Sequence, residues 1–166
     1  MLMNGKPPKG EIEEEHFIKI KTEVEVFYKE VKPVNCPYLK KDVYFDAKGL
    51  DHIKFKSWQT ARSRYDQYIR LKLFKFVPNI LSKSHTLQGL YICKEWERRK
   101  RKTGWEKIQL EVTYYEFIAV ISRARIKIIV KQLPGGELHF WSIIPFWRMC
   151  DKTQERELFD GNPSTD

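Results

Sequence analysis

Cations and branched apolar residues take turns along Arg125-Ile126-Lys127-Ile128-Ile129-Val130-Lys131, and a β-strand is the element that sorts such a pattern onto two faces. Positions 125, 127, 129 and 131 share one face and carry three cations. Ile126, Ile128 and Val130 share the other, which must be buried. Pro134-Gly135-Gly136 supplies a hairpin turn, and Glu137 to Ile143 supplies the returning strand. Depending on register, that partner brings His139, Trp141 or Ser142 beside the cations.

The rest of the chain is read around this hairpin. From Glu11 to Lys32 the apolar positions Phe17, Ile20, Val24, Phe27, Tyr28 and Val31 fall three and four apart, which predicts an amphipathic helix. Pro33 and Pro37 close it. Val43 to Asp46 reads as a short strand, Ala47-Lys48-Gly49 as a turn, and His52 to Lys56 as a second short strand or extended loop. A long helix is expected from Ser57 to Leu81, capped by Ser57 and ended or kinked at Pro78, with Arg62, Arg64, Arg70, Lys72 and Lys75 on its outer face. Gly89 to Trp96, Lys107 to Val112 and Glu116 to Ser122 read as further strands, with Arg98 to Lys102 an exposed basic turn. The expected class is α+β, with N-terminal helices packed on an antiparallel β-sheet meander. Residues 1–10 read as a flexible leader, 11–150 as one domain and 151–166 as an acidic tail.

The chain has 166 residues, 42% of them hydrophobic, enough for one domain with its own core. No apolar run approaches the roughly 20 residues of a membrane span, and the N-terminus has no signal-peptide core, so a cytoplasmic location is expected. Cys36, Cys93 and Cys150 are far apart, form no CxxC pair, and read as packed thiols in a reducing compartment.

The net charge of +9 is unevenly spread. Residues 11–30 hold seven acids and three bases, residues 151–166 five acids and two bases, and residues 31–150 hold 24 bases against 10 acids. A middle section with a net charge of +14 draws polyanions, and a nucleic acid is the partner expected.

No P-loop, GxGxxG, GxSxG or HExxH pattern is present, and the acids of the basic section are scattered. Neither a cofactor nor a metal is therefore expected. Metal-free RNA cleavage asks for other groups: a base for the ribose 2′-OH, cations for the charge on the phosphorane, and an acid for the leaving 5′-oxygen. Asp51-His52-Ile53-Lys54-Phe55-Lys56, Arg123-Ala124-Arg125-Ile126-Lys127 with Lys131, and His139-Phe140-Trp141-Ser142 supply them. The plain alternatives are a solvated basic face, and Trp141, Phe146 and Trp147 as core.

These residues carry a likeness. A short strand ending in Gly49-Leu50-Asp51-His52-Ile53, an Arg-bearing helix with a proline near its end, a strand with Tyr91, the run Tyr114-Tyr115-Glu116-Phe117, a Lys/Val strand, a glycine turn and a last strand ending Trp141-Ser142-Ile143 succeed one another. Over about residues 42–147 this order resembles the barnase–EndoU–colicin–RelE superfamily of metal-independent ribonucleases, in its phage-associated and toxin-like branches. The resemblance implies a barnase- or RelE-like sheet, with His52 matching the family's His-Ile pair and Ser142 its hydroxyl on the last strand. Some members have a second His soon after the pair; here Lys54 and Lys56 stand instead. On this reading His52 is base or acid, and His139 is its backup. Arg123, Arg125, Lys127 and Lys131 bind phosphate and stabilise the transition state, and Ser142 orients it. Lys54, Lys56, Arg62 and the Arg98-Arg99-Lys100-Arg101-Lys102 turn contact RNA. A toxin would also imply an acidic protein antitoxin. The alternatives are a non-catalytic RNA- or DNA-binding module on the same basic face, and a domain that docks an acidic protein.

Overall fold

The computed structural model describes residues 12–57, 59–149, 156–158, 160–163 and 166. The fold is α+β. Helix α1 (Glu14–Glu30) precedes strands β1 (Val34–Cys36) and β2 (Lys41–Tyr44), then helix α2 (Ala47–Lys54). A two-stranded ribbon, β3 (Phe55–Ser57) with β4 (Thr60–Ala61), leads to helices α3 (Arg64–Phe74) and α4 (Val77–Ser82). Four long strands follow: β5 (Gly89–Arg101), β6 (Gly104–Ile121), β7 (Ala124–Gln132) and β8 (Leu138–Pro145). Strands β9 (Trp147–Met149) and β10 (Arg156–Leu158) pair with each other.

The main sheet has six strands in the order β1-β2-β8-β7-β6-β5. Strands β5 to β8 form the expected antiparallel meander. Beyond it the sheet departs from a pure meander, because β2 joins β8 in parallel. One face packs on the helices through Ile126, Ile128, Val130, Phe140 and Ile143, which meet Tyr28, Ile53, Leu71, Phe74 and Leu81. The other face holds a smaller apolar cluster of Val112, Tyr114, Ile129 and Ile144.

Several local expectations are corrected. Ala47-Lys48-Gly49 is the first turn of α2, not a loop, because the Asp46 carboxylate accepts the Gly49 N–H at 3.0 Å as an N-cap. Gly49 serves close approach: a Cβ there would stand 2.5 Å from the Phe140 carbonyl oxygen and from Tyr28 Oη. His52 accordingly sits on a helix rather than a strand. The helix expected over 57–81 is interrupted; Ser63, not Ser57, caps α3 by accepting the Asp66 N–H at 3.1 Å. Pro78 stands in the first turn of α4, where its missing N–H costs nothing. Arg98 to Arg101 continue β5, and the turn is only Lys102-Thr103. Lys107–Val112 and Glu116–Ile121 are parts of one strand, β6, and the expected last strand residue, Ser122 (φ 46°), instead forms with Arg123 (φ 65°) the left-handed pair that a two-residue hairpin needs. The expected helix over 11–32 and strand over 125–132 are present as α1 and β7.

Cys36 is buried and Cys93 half-buried, both as free thiols, and Cys150 lies outside the described residues. Among the described residues no helix is long and apolar enough to cross a membrane.

Candidate functional site

The register of β7 on β8 sets Ser142 opposite Ile129 and His139 opposite Lys131, with a bulge between Ile129 and Val130 that leaves Trp141 unpaired. Helix α2 packs on β8 and brings the His52 ring over Trp141, 4.5 Å between centroids and tilted by 32°. Arg62 and Arg70 arrive from the entry and the second turn of α3. Arg62 Nε donates to the His52 carbonyl at 3.0 Å, tying α2 to α3. Arg70 Nη1 donates to Ser142 Oγ at 3.1 Å and to the Ile143 carbonyl at 2.9 Å.

A single carboxylate fills the space these groups enclose. Asp166 accepts two hydrogen bonds from Arg70, at 2.7 and 2.8 Å, one from Arg62 at 3.0 Å and one from Ser142 Oγ at 3.1 Å. Its side chain is 4% exposed, and that of Arg70 is 3% exposed. Asp66 closes the outer side, 2.7 Å from Arg70 Nε and 3.4 Å from Arg62 Nη1. Two guanidiniums thus share two carboxylates. Such bidentate, charge-assisted contacts are the strong kind.

The charges move the titrations. Burial would raise the Asp166 carboxyl, but the hydrogen bonds and charge of Arg70, with the charge of Arg62, hold it below the usual carboxylate range. Burial and then the Arg70 charge push Arg62 down. Burial would lower Arg70 too, but Asp166 and Asp66 outweigh it and hold it up. His52 is pushed down to about 4, first by burial and then by the Arg62 charge, while Asp166 opposes the shift. Its imidazole is neutral at pH 7, and its Nδ1 is buried with no hydrogen-bond partner among the described residues.

The cations expected on the β7 face have other occupations. Lys127 and Lys131 are buried rather than solvated. Lys127 binds Asp160 at 2.7 Å, the Gly161 carbonyl at 3.1 Å and Glu116 at 3.4 Å. Lys131 binds Glu97 at 2.8 Å and Glu95 at 3.2 Å, and its Nζ lies 4.2 Å from the Trp141 ring centre. A buried charge requires a partner, and the long β5 strand and the acidic end of the chain provide them. Arg62 and Arg70, both expected on an outer face, are buried for the same reason. Lys54 pairs with Glu25 at 3.2 Å, whereas Lys56, Arg123 and Arg125 are exposed. His139 lies 3.3 Å from Asp46, on the same strand as Trp141 but in a separate environment.

The basic run forms the far end of a β5–β6 arm. Arg98, Arg99, Lys100, Arg101 and Lys102 are all exposed, as are Trp96 (68%) and Trp105 (63%). Arg98 stands 5.7 Å from the Trp105 ring centre, and Lys100 faces Trp105 across the ladder.

The sequence reading missed Arg70, Asp66 and Asp166. The first two could be found from the i, i+4 steps Arg62-Asp66-Arg70, which place alternating charges along one helix face. Nothing local points to Asp166, whose partner is 96 residues away. No family model matches this chain, and neither do any curated protein or solved structure.

Proposed function

We propose that this protein is a metal-independent endoribonuclease of the barnase–EndoU–colicin–RelE kind, cleaving RNA by attack of the ribose 2′-OH. The observation that carries this reading is the convergence of Arg62, Arg70 and Ser142 on one oxyanion position, with the neutral His52 imidazole stacked on Trp141, the residue before Ser142. A phosphodiester presents there the same acceptor oxygens as a carboxylate. His52, unprotonated at pH 7, takes the proton of the 2′-OH. Arg62 and Arg70 stabilise the charge that grows on the phosphorane, and their donors are already oriented by Asp66 and the Ile143 carbonyl. Ser142 orients the phosphate, and solvent water supplies the proton taken up by the leaving 5′-oxygen, since His139 stands apart beside Asp46. The exposed Arg98-to-Lys102 arm, with Trp96 and Trp105 as stacking surfaces, guides the strand. An acidic antitoxin would cover the same arm.

The test is cleavage of a labelled RNA in excess EDTA. His52→Ala should slow cleavage about 10²- to 10⁴-fold, with folding and RNA affinity kept. DNA should resist, and the product should end in a 2′,3′-cyclic phosphate. A second reading, a non-catalytic nucleic-acid-binding module, is favoured by the arm's exposed tryptophans and cations. Folded protein that binds RNA and leaves it intact, including after the change described next, would select it.

A further inference from the structure

We infer that Asp166 is an internal substitute for a phosphate group, and that its carboxylate holds the Arg62–Arg70–Ser142 cradle closed against phosphodiesters. The inference concerns regulation of the site just proposed and rests on that reading for its substrate. Its anion-binding part stands on geometry alone.

Four donor contacts from three side chains reach a single Asp166 carboxylate. This is the arrangement expected for a bound oxyanion, supplied here by the chain itself. The residue is presented by a local turn, its N–H donating to the Asn162 carbonyl at 3.0 Å. Gly161 and Pro163 are buried beside it. A second contact repeats the pattern: Asp160, whose side chain is 75% exposed, sits on Lys127 at 2.7 Å, and the Gly161 carbonyl takes a further hydrogen bond from the same ammonium. Two carboxylates from one stretch of chain therefore rest on two cationic positions of the face that carries Ser142.

Charge balance supports a closure that can be exchanged. With Asp166 in place, Arg62 and Arg70 are matched by Asp166 and Asp66. With Asp166 withdrawn, the two convergent guanidiniums keep only Asp66 among the described residues, a net positive charge that another anion would relieve. Withdrawing Asp166 also takes away the one negative charge that opposes the depression of the His52 imidazole. A phosphate oxyanion meets the same donors in the same plane. Competition is between a tethered carboxylate, at an effective concentration in the millimolar range, and a free phosphate.

The experiment compares wild type with Asp166→Asn, which keeps shape and most hydrogen bonds but removes the charge, using inorganic phosphate as probe and ³¹P NMR line broadening as readout. Phosphate should bind Asp166→Asn at least about tenfold more tightly than wild type, as expected for loss of a tethered competitor. Arg70→Met added to Asp166→Asn should abolish the gain. In unmodified protein, phosphate should speed hydrogen exchange at the Asp166 amide, a measurement that needs no variant to fold. Equal phosphate affinity in both proteins, with Asp166 exchange unmoved by phosphate, overturns the inference. RNA cleavage is read in parallel. Tighter phosphate binding without cleavage sustains the closure and refutes the ribonuclease, whereas cleavage equally fast in wild type and Asp166→Asn, with phosphate affinity unchanged, refutes the closure and leaves the ribonuclease standing.

Discussion

His52 gives the most quantitative expectation. Its imidazole titrates at about 6.5 in the unfolded chain and about 4 in the folded one, because burial and the neighbouring Arg62 disfavour the cation. The unfolded state therefore binds the proton more readily between those values. A depressed histidine contributes stability that is complete above pH 6.5 and is lost as pH falls toward 4. The full difference corresponds to about 3 kcal/mol, of which about 2 kcal/mol has gone by pH 5. Because the ring keeps some contact with solvent, these are upper figures. The Asp166 carboxyl, held low by Arg70 and Arg62, also stabilises the fold, but its share is lost only below the ordinary carboxylate range, so the two windows separate. The assay is urea unfolding of wild type and His52→Gln between pH 4.5 and 8. The stability gap between them should move by 1–2 kcal/mol in favour of the variant on going from pH 7 to pH 5. An NMR titration of His52 should give a midpoint well under that of a free imidazole. A gap that stays constant with pH, or a midpoint near 6.5, would refute the argument that the ring is desolvated beside Arg62.

Two further perturbations separate structure from binding. Replacing Arg98 to Lys102 by neutral residues should weaken RNA binding for all sequences alike and flatten the log–log salt slope by about 0.7 per lost phosphate contact; Tm should stay put, since these side chains are exposed, and a change in sequence preference with affinity intact would contradict it. Gly49→Ala should destabilise the fold by about 1–3 kcal/mol, as overpacking does, because the new methyl meets the Phe140 carbonyl and Tyr28 Oη. It should also shift His52 off Trp141, measured as a changed indole environment in fluorescence.

What could be read from the sequence was periodic, and what could not was conditional on distant partners. The three-and-four spacing from Phe17 to Val31 and the alternation from Arg125 to Lys131 each carry their geometry within a few residues, and α1 and β7 follow them. The returning strand was expected to bring His139, Trp141 or Ser142 beside the cations; both His139 and Ser142 fall opposite that face only because the bulge at Trp141 shifts the pleat. Gly49 misled because a glycine in a short polar run reads as a turn, whereas its reason is contact with β8 across the fold. Lys127 and Lys131 misled differently. A strand face with three cations looks solvated until Glu95, Glu97 and Glu116 are brought against it by β5 and β6. The cradle depended most on the whole: Arg70 on α3, Ser142 on β8 and Asp166 near the end of the sequence have no relation in local pattern.

The length of β5 has a bearing beyond its ligands. It is one of the two edge strands of the sheet, 13 residues long, with Leu90, Ile92 and Trp96 open to water. An edge of that kind invites another chain to add a strand. In any such pairing the run Arg98 to Arg101 would set like charges against one another at one end of the ladder. The cations of the arm are thus also the gatekeepers of the edge, and any polyanion that neutralises them lifts the barrier to strand-to-strand association at the moment it binds.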